Sequence, residues 1–432
     1  MPDAPNLLFV GGARPLSFSL DMATEALAQA AARGLRVHVT NTAEILAATA
    51  PVVAAATVQS TVDVLTPGAS AAWAAAQVAA GERFDAVYAL QELAQVAVAE
   101  TAEAVGAPGN PPDAVHRVRT KDACREALAA AGFPQPVVGL CAGEAEAAVF
   151  LKEHDGPWIV KPRDAMGSVG VSLVTDAAEL PAALALLPDA KPFLVEQFVD
   201  GPEFSVEGVF LGEVPKILAV TAKEKVPPPF FVETGHVLPA PLPDARRREI
   251  EDTVSSALTT LGLRTGGFHV ELWLTPAGVV LGEVHGRFGG DWIHRMLAHA
   301  IPGLELYGLV FDDMLGRPGT GVPPAPSRGA AVRYFTPPPG RLAAVEGWEQ
   351  VRAHPAVLHA ELGVGPGDEI KPLQRSGDRV GFVVVGADTP EAASALAADL
   401  TGSVKFLFDP EIEPEIDPEP EPGRLPGLWA LR

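Results

Sequence analysis

The sequence predicts a multidomain protein that combines α/β and α+β architecture. Three observations lead to this class: the length of the chain, an alternation of strand and helix patterns near its start, and strands joined by short loops further on. With 432 residues, the chain corresponds to two to four domains of about 100–200 residues each. Apolar residue types make up 48% and charged types 20%, a composition typical of chains that bury a core.

The start of the chain predicts an open, Rossmann-like α/β domain over residues 1–115. NLLFV at 6–10 has the pattern of a buried strand, an Ala-rich helical stretch covers about 21–33, and LRVHVT has the pattern of a second strand. A buried strand, a helix and a strand in this order form a βαβ unit. The same order returns in FDAVYAL at 84–90 and the helical stretch at 91–104.

The middle of the chain predicts a second domain of α+β character over residues 116–316. A helix over about 120–131 ends at a glycine that two prolines follow, which is a typical helix stop. Strand-like PWIVKP, GVSLV, FLVEQFV and EFSVEGVF come next, and a short loop without a helix joins the last two. Such connections are typical of α+β regions. We divide this domain into subdomains 116–193 and 194–316.

The last part of the chain predicts a small α+β domain over residues 317–408. The Pro- and Gly-rich stretch GRPGTGVPPAPSRG has the composition of a linker before it. GFVVVGAD and PEAASALAADL then supply a strand and a helix. Residues 409–432 are rich in acids and proline, and such a tail cannot bury a core.

The composition excludes several classes of function. The chain has 32 Lys and Arg against 54 Asp and Glu, a formal net charge of −22, so we expect neither nucleic acid nor an anionic membrane as a partner. Its 2 cysteines exclude a disulfide-stapled scaffold and a Cys-based zinc site. Since the chain has no signal-peptide pattern and no apolar stretch of about 20 residues, we expect a cytoplasmic protein.

The most informative segment is a predicted β-hairpin within residues 266–291. FHVELWL and VVLGEVHGR both alternate in polarity, and Pro276-Ala277-Gly278 between them has the form of a three-residue hairpin loop. In this register Phe268, Val270, Leu272 and Leu274 point into a core. On the other face, three pairs lie opposite each other: Glu271 and Glu283, His269 and His285, and Trp273 and Leu281.

Two glutamates that face each other need an explanation, because carboxylates about 5 Å apart repel. A divalent cation such as Mg²⁺ is one answer, since it binds carboxylate oxygens and substrate phosphates. Arg287 as a local counter-charge is a second answer, and screening by solvent is a third. The presence of His285, Arg287 and a Gly289-Gly290-Asp291 turn on the same segment favours a functional site.

Two lysines and a glycine loop give weaker signals for phosphate binding. Lys161 ends a strand before a loop that carries Gly167 and Gly170, and glycines let the backbone approach phosphate oxygens. Lys121 opens a helix, where the helix dipole disfavours a cation. Each of these patterns also occurs in ordinary hairpin loops and helix starts, and FLVEQFVDGPEFSVEG fits either an adenine slot or an edge hairpin.

Taken together and in this order, four stretches resemble the ATP-grasp superfamily of carboxylate–amine ligases. They cover about 120–315 and read TKDACREALAAAGFPQP, WIVKPRDAMGSVGV, FLVEQFVDGPEFSVEG and FHVELWLTPAGVVLGEVHGRFGGD. FFVETGHVLPA and AAVRYFTPPPGRL resemble the branch that contains L-amino-acid ligases, which make dipeptides. The resemblance implies an ATP-grasp domain of two α+β subdomains between the N-terminal and C-terminal domains.

The resemblance also implies which residues would bind ATP. Lys121 and Lys161 would contact its phosphates. The loop at 163–170 would close over the phosphates as a lid, and its matching residues are Gly167, Ser168 and Gly170. The adenine slot would be lined, mostly by backbone groups, by Glu196, Gln197, Phe198 and Val199. Glu203 would hold the ribose.

The same resemblance implies metal, catalytic and substrate residues. Glu271 and Glu283 would bind Mg²⁺, with Mn²⁺ as an alternative, and Arg287 would stabilise the transferring phosphoryl group. His285 stands where the family usually has an Asn that adds a metal ligand, so we leave it out of the metal set. The candidates for the substrate site are His236, Trp273 and Gly290.

The reaction implied by the resemblance joins a small-molecule carboxylate to an amine through an acyl phosphate and releases ADP and phosphate. One alternative is a nucleotide-binding homologue with a regulatory or scaffold role and no ligase activity. Another is a zinc enzyme, for which the sequence offers His269, His285, His294 and His299, though without H-x-x-x-H spacing. The expected partners are small molecules, and the sequence leaves a homodimer open.

Overall fold

The computed structural model describes residues 4–317 and 321–409. The predicted acidic tail therefore lies outside the described residues, apart from Asp409. The mixed α/β and α+β class is confirmed, because one parallel sheet and three antiparallel ones succeed each other along the chain. Among the described residues, no helix combines the length and the apolar character needed to cross a bilayer.

The N-terminal region is an open parallel sheet flanked by helices. Its elements are β1 (Asn6–Val10), α1 (Ser17–Ala32), β2 (Arg36–Asn41), α2 (Ala43–Ala48), α3 (Ala50–Val53), β3 (Val58–Thr61), α4 (Ala69–Ala79), β4 (Ala86–Tyr88), α5 (Gln95–Val105), α6 (Pro112–Arg119) and α7 (Lys121–Ala130). The strand order is β3-β2-β1-β4. Every residue of β1 is buried, as expected for a central strand covered on both faces. The predicted βαβ unit is therefore present, although α1 starts four residues earlier than expected.

The next region is a small antiparallel sheet with two helices. Its elements are β5 (Val138–Cys141), α8 (Glu144–Glu153), β6 (Trp158–Pro162), β7 (Ser172–Val174), α9 (Leu180–Ala185) and β8 (Phe193–Gln197). The strand order is β5-β8-β6-β7. The glycine loop at 163–170 follows β6 and lies before β7, so the sheet presents this loop at one end.

An eight-stranded antiparallel sheet forms the centre of the protein. The elements that come from residues 203–314 are β9 (Glu203–Leu211), β10 (Val214–Lys225), β11 (Glu233–Leu238), α10 (Asp244–Leu261), β12 (Gly267–Thr275), β13 (Gly278–His285), α11 (Ile293–Ala300) and α12 (Leu306–Met314). Five of these strands lie in the order β13-β12-β9-β10-β11. Buried apolar residues of β9, β12 and α10, among them Val206, Phe268 and Leu258, form one core beneath this sheet.

The C-terminal region continues the same sheet. Its elements are β14 (Gly329–Tyr334), β15 (Gly340–Glu346), α13 (Trp348–Arg352), β16 (Val357–Leu362), β17 (Glu369–Ile370), β18 (Gly381–Ala387), α14 (Pro390–Ser403) and β19 (Lys405–Phe408). β14 pairs with β11, and β18 and β16 follow it in the sheet. The domain boundary at 316/317 stays a prediction, and strands from both of its sides share hydrogen bonds.

A shared core joins the N-terminal sheet to the central region. The rings of Tyr88 and Phe311 lie 5.3 Å apart in an edge-to-face contact, and the rings of Phe288 and Tyr307 lie 5.7 Å apart. All four side chains belong to one buried cluster that also contains Phe9. This packing places the carboxyl end of β4 beside the segment that follows β13.

The predicted hairpin is present, but its register was only half right. His269 lies opposite His285 and Val270 opposite Val284, as predicted. Beyond a β-bulge, however, Trp273 lies opposite Val280 and not Leu281. The three-residue loop was wrong: Thr275 pairs with Gly278, so only Pro276 and Ala277 form the turn.

The bulge explains why the glutamates still share a face. Between Val270 and Leu272 of β12, the partner strand runs from Val284 to Leu281, so Glu271 has both Gly282 and Glu283 opposite it. An extra residue on one strand absorbs the one-residue difference that the shorter turn creates. The side chains of Glu271 and Glu283 consequently line the same cleft.

Candidate active site

Most of the predicted site residues line one cleft between the small antiparallel sheet and the central sheet. The cleft and the open space at its mouth together have a volume of about 1080 Å³. Twelve predicted residues line it: Lys121, Lys161, Gly167, Ser168, Glu196, Phe198, Val199, Glu203, Glu271, Trp273, Glu283 and Arg287. The other four lie elsewhere: Gln197 pairs with Trp158 in the sheet, Gly170 lines a neighbouring cleft, and His236 and Gly290 lie on β11 and in the turn before α11.

A buried ion network forms one wall of the cleft. Lys161 Nζ lies 2.6 Å from Glu196 Oε1, and Arg125 Nε lies 2.7 Å from Glu196 Oε2. Burial alone would raise the pKa of Glu196. The guanidinium of Arg125 and the ammonium of Lys161 face its carboxylate and lower this pKa below the ordinary value. The Glu196 carboxylate is therefore occupied with holding Lys161 and Arg125, and its predicted place in an adenine slot stays a prediction.

Arg125 is a residue that the sequence analysis missed, and its loss should weaken the fold. Its side chain is 1% exposed and also donates from Nη1 to the Leu281 carbonyl at 3.2 Å. We expect Arg125→Met to lower the free energy of unfolding by about 3–5 kcal/mol, because it leaves part of the Glu196 charge buried without its partner. Urea denaturation followed by circular dichroism measures this change.

The matched control is Arg333→Met. Arg333 forms a single ion pair with Glu224 at 2.9 Å, and both side chains are more than a third exposed. Such a surface pair contributes about 0–1 kcal/mol. Equal losses in the two variants would contradict the importance assigned to the Arg125 network.

Lys121 and the glycine loop close one end of the cleft. Lys121 is the first residue of α7, and its Nζ donates to the Ala165 carbonyl at 2.7 Å and lies 3.3 Å from Glu283 Oε2. Gly167 and Ser168 have φ angles of 69° and 59°; a glycine adopts this left-handed conformation readily, whereas Ser168 does so with strain. The backbone of the loop therefore contacts Lys121, which in turn lies beside Glu283.

Three glutamates surround a buried lysine on β10. Lys223 Nζ lies 2.7 Å from Glu203 and 3.1 Å from Glu271, and it also contacts Glu233. Burial would lower the pKa of Lys223, but the three carboxylates raise it well above the ordinary value. The lysine is thus a permanent cation among these acids. The sequence analysis missed both Lys223 and Lys225, although their spacing of two in TAKEK places them on one face of a strand.

Glu203 is held by these lysines. It contacts Lys223 and Lys225, and its side chain is 8% exposed. The pKa of Glu203, which burial would raise, is lowered by both lysines. Its predicted contact with a ribose stays a prediction, and Lys225, which also lines the cleft, is a second polar group at the same place.

Glu271 and Glu283 are the residues that would hold a magnesium ion in this cleft. Their side chains are 26% and 28% exposed, so carboxylate oxygens reach the open cleft. Each carboxylate has a cation beside it, Lys223 for Glu271 and Lys121 for Glu283. Carboxylate oxygens are the ligands that Mg²⁺ prefers, so the donor set fits this ion.

His285 lies between Glu92 and Glu283 and contacts both carboxylates. Its Nδ1 lies 3.1 Å from Glu92 and its Nε2 lies 3.6 Å from Glu283. Its ring stacks on His269 at 5.7 Å. The position that usually carries Asn is here a buried imidazole that links Glu283 to the N-terminal region.

Glu92 is the most important residue that the sequence analysis missed. It is 6% exposed, accepts a hydrogen bond from Arg119 Nη1 at 2.7 Å and contacts Arg287 Nε. Burial would raise the pKa of Glu92, but Arg287, His285 and Arg119 hold it well below the ordinary value. A signal existed, because Glu92 follows a predicted parallel strand and ligand sites gather at such carboxyl ends.

Arg287 reaches into the cleft with part of its guanidinium free. Its Nε contacts Glu92, and its Nη1 donates to the Phe288 carbonyl at 2.9 Å. Across residues 4–317 and 321–409, its Nη2 forms no hydrogen bond, and the side chain is 16% exposed. This nitrogen is available for an anionic group that enters the cleft.

The proposed zinc set does not come together. His269 and His285 stack on each other, but His294 Nε2 lies 2.7 Å from Asp21 and His299 faces the Ala387 carbonyl. In the described part of the chain, the acid and imidazole groups that could share an ion are two: Glu203, Glu233 and Glu271, and Glu233, His236 and Asp291. Neither group contains two of the four histidines.

Comparisons with known proteins agree with this geometry. Residues 154–295 match a family model described as the ATP-grasp domain, and residues 333–409 match one described as L-amino acid ligase C-terminal domain 2. The chain therefore contains an ATP-grasp domain. The ATP-grasp match covers the glycine loop, Lys161 and Lys223, and Glu271 and Glu283. The L-amino acid ligase match covers most of the C-terminal region.

Several curated relatives are similar to part of this chain. "Uncharacterized protein y4rH" of Sinorhizobium fredii is 31% identical over 70% of this chain and 64% of its own. Human carnosine synthase 1 is 28% identical over 54% of this chain and 30% of its own, and alanine–anticapsin ligase of Bacillus subtilis is 25% identical over 53% of each. The chain thus spans less than two thirds of these curated relatives.

Solved structures show the same fold over nearly the whole chain. The L-amino acid ligase of Bacillus licheniformis has a TM-score of 0.76 at 23% identity, covering 95% of this chain and 100% of that one. N5-carboxyaminoimidazole ribonucleotide synthetase of Thermotoga maritima has a TM-score of 0.66 at 16% identity, covering 94% and 100%. At these identities the comparison establishes the fold.

Proposed function

We propose that this protein is an ATP-dependent ligase that joins the carboxylate of an amino acid, or of a related acid, to an amine. The observation that carries the proposal is the single cleft that holds Lys161, the pair Glu271 and Glu283, and Arg287. Cations and metal-binding acids around one space are what phosphoryl transfer from ATP requires. Because ATP is a cytoplasmic metabolite, we place the reaction in the cytoplasm.

The cations of the cleft would bind and orient the nucleotide. Lys161, fixed by Glu196 at 2.6 Å, presents a point charge to phosphate oxygens, and Lys121 presents another from the first turn of α7. Glu271 and Glu283 would hold Mg²⁺, which neutralises phosphate charge when it is bound. The carboxylate oxygen of the substrate then attacks the γ-phosphorus, and ADP leaves.

The second step forms the C–N bond. The amine nitrogen attacks the acyl carbon of the acyl phosphate and loses a proton, and phosphate leaves. Arg287 Nη2 is positioned to stabilise the negative charge that develops on oxygen in both steps. No protein nucleophile is needed in this sequence of steps.

The acyl phosphate must be protected from water, and the glycine loop would do this. The loop at 163–170 already contacts Lys121, which donates to the Ala165 carbonyl, and its Ser168 Oγ lies 3.4 Å from the Phe231 carbonyl. Closure of such a loop excludes water from a reactive intermediate. We therefore assign the lid role to this loop.

The names of the relatives support an amino acid as the substrate. Carnosine synthase, alanine–anticapsin ligase and D-alanine–D-alanine ligase all carry an amino acid or a dipeptide in their names. His236 lies beside Asp291 at 3.1 Å, near the strand end that carries Glu233, and offers polar groups for an amino acid. Trp273 and Gly290 are the other proposed substrate residues, because Trp273 lines the cleft and the space beside Gly290 is open.

A screen of paired L-amino acids with ATP and Mg²⁺ tests the function. ADP should form only when both the carboxylate and the amine are present, and the product mass should equal the two masses less one water. ATP binding without ADP formation from any pair would instead favour the regulatory or scaffold alternative. The screen thus separates a ligase from a nucleotide-binding homologue.

A further inference from the structure

The C-terminal region contributes one nearly buried arginine that contacts Asp291 and the backbone of Glu233, a residue of the cleft wall. Arg379 lies before β18, and its Nη1 and Nη2 donate to Oδ2 and Oδ1 of Asp291 at 2.8 and 2.9 Å. Its guanidinium carbon lies 3.6 Å from the centre of the Tyr334 ring, and its Nε donates to the Ser376 carbonyl at 2.9 Å. With an exposure of 11%, the side chain is fixed from several directions.

Asp291 links Arg379 to His236, which we propose as a substrate residue. Its Oδ2 accepts from Arg379 and also lies 3.1 Å from His236 Nε2. The Nη1 of Arg379 additionally donates to the Glu233 carbonyl at 3.3 Å, and Glu233 lines the cleft. One arginine therefore contacts β11 and the turn after Arg287 at the same time.

The turn that carries Asp291 is strained, and the C-terminal region holds it in place. Asp291 and Trp292 have φ angles of 49° and 64°, a conformation that L-residues other than glycine adopt at a cost of about 1–3 kcal/mol. The Trp292 ring lies 4.2 Å from the ring of His359 and 4.9 Å from that of Phe382. Both strained residues are thus anchored by side chains of the C-terminal strands.

The C-terminal loop that carries Ser376 and Arg379 also contacts the glycine loop at 163–170. The Ser376 backbone N–H donates to the Gly167 carbonyl at 3.1 Å. Ser376 in turn accepts from Arg379 through its own carbonyl. The C-terminal loop therefore connects the substrate turn with the proposed lid.

We propose that Arg379 is a positioning residue for the ligase reaction: it holds Asp291, and through it His236 and the turn after Arg287, in the shape that receives the amino-acid substrate. This role rests on the proposed function. Without the guanidinium, the Asp291 carboxylate loses its two-pronged partner and the strained turn has less to hold it. The C-terminal region is then part of the substrate site.

The test is Arg379→Met, which keeps an apolar stem over Tyr334 and removes the ion pair. Loss of a charge-assisted, bidentate pair should raise the Michaelis constant for the amino acid found in the screen by about tenfold or more. The Michaelis constant for ATP should stay within about threefold, because Lys161 and Lys121 are untouched. Arg379→Lys keeps the charge but not the planar fork. Its Michaelis constant for the amino acid should therefore lie between those of Arg379→Met and the wild type.

Arg333→Met is the matched control, since Arg333 lies on the neighbouring strand β14 and pairs with Glu224 away from the cleft. It should leave both Michaelis constants unchanged. An amino-acid Michaelis constant within twofold of the wild type in Arg379→Met, or an equal rise in Arg333→Met, would overturn the positioning role. If Arg379→Met does not fold, the same criteria apply to Arg379→Lys.

Hydrogen exchange gives a readout that does not depend on activity. Amides in the turn at 286–292 should exchange at least about tenfold faster in Arg379→Met than in the wild type or in Arg333→Met, while amides of α10 should not change. Unchanged exchange in the turn would overturn the proposal. Wild-type protein that forms no ADP with any amino-acid pair would refute the proposed ligase, and the exchange result would still decide whether Arg379 holds the turn.

Discussion

Glu283→Gln should reduce ADP formation by roughly 100-fold or more while the protein stays folded. The substitution keeps the shape of the side chain but removes one of the two carboxylates that would hold Mg²⁺, and a neutral amide oxygen binds this hard cation less well. Loss of charge neutralisation on the phosphates then raises the barrier of the first step. Steady-state ADP release at increasing Mg²⁺ concentrations measures both the rate and the metal requirement.

The fold should tolerate this change because the Glu283 side chain is 28% exposed and its ion pair with Lys121 is 3.3 Å long. Glu224→Gln is the control, since Glu224 lies on the same sheet with one ion pair and a 39% exposed side chain. Phosphate release near the wild-type rate in Glu283→Gln would mean that the metal assignment is wrong.

Arg287→Met should lower kcat by about 10²–10³-fold. Arg287 lines the cleft and its Nη2 forms no hydrogen bond among the described residues, so we propose that it meets the charge that develops during phosphoryl transfer and amine attack. Arg287→Lys should recover only part of the rate, because an ammonium cannot reproduce the planar fork. The binding of ADP, measured by calorimetry, should change by less than about threefold.

Arg119→Met tests whether Arg287 acts on the reacting groups or acts only by stabilising Glu92. Arg119 binds the other oxygen of Glu92 at 2.7 Å, so both variants remove one cation from the same carboxylate. Only Arg287 lines the main cleft. A loss of kcat in Arg119→Met as large as that in Arg287→Met would show that Arg287 acts through Glu92 and not on the reacting groups.

The sequence predicted local features of the fold better than long-range ones. β1 and the buried face of β12 matched because period and burial are set by neighbouring residues. The hairpin turn was mispredicted because Gly278, with a φ of 124°, fits either the third position of a loop or the first residue of a strand. A bulge opposite Glu271 then restored the pairing, and no pattern of residue types announces such an insertion.

The candidate site shows the same limit. Lys161, Glu271, Glu283 and Arg287 were predictable because the polar residues stand out against apolar strands within short segments. Glu92 and Arg379 were not, since they enter the site from regions 195 residues and 88 residues away along the chain from Arg287 and Asp291. Contacts of this kind depend on how domains pack, and a single sequence does not display that packing.

The ladder between β11 and β14 has a consequence for protein engineering. His236 lies directly opposite Val332 in this ladder, so a chimera that exchanged the C-terminal region for that of a homologue would replace the strand that neighbours this proposed substrate residue. Recombination at the crossover between α12 and β14 would therefore have to preserve both the strand alignment and the loop that bears Arg379. Grafts designed in this way would transfer substrate preference together with the C-terminal module, not independently of it.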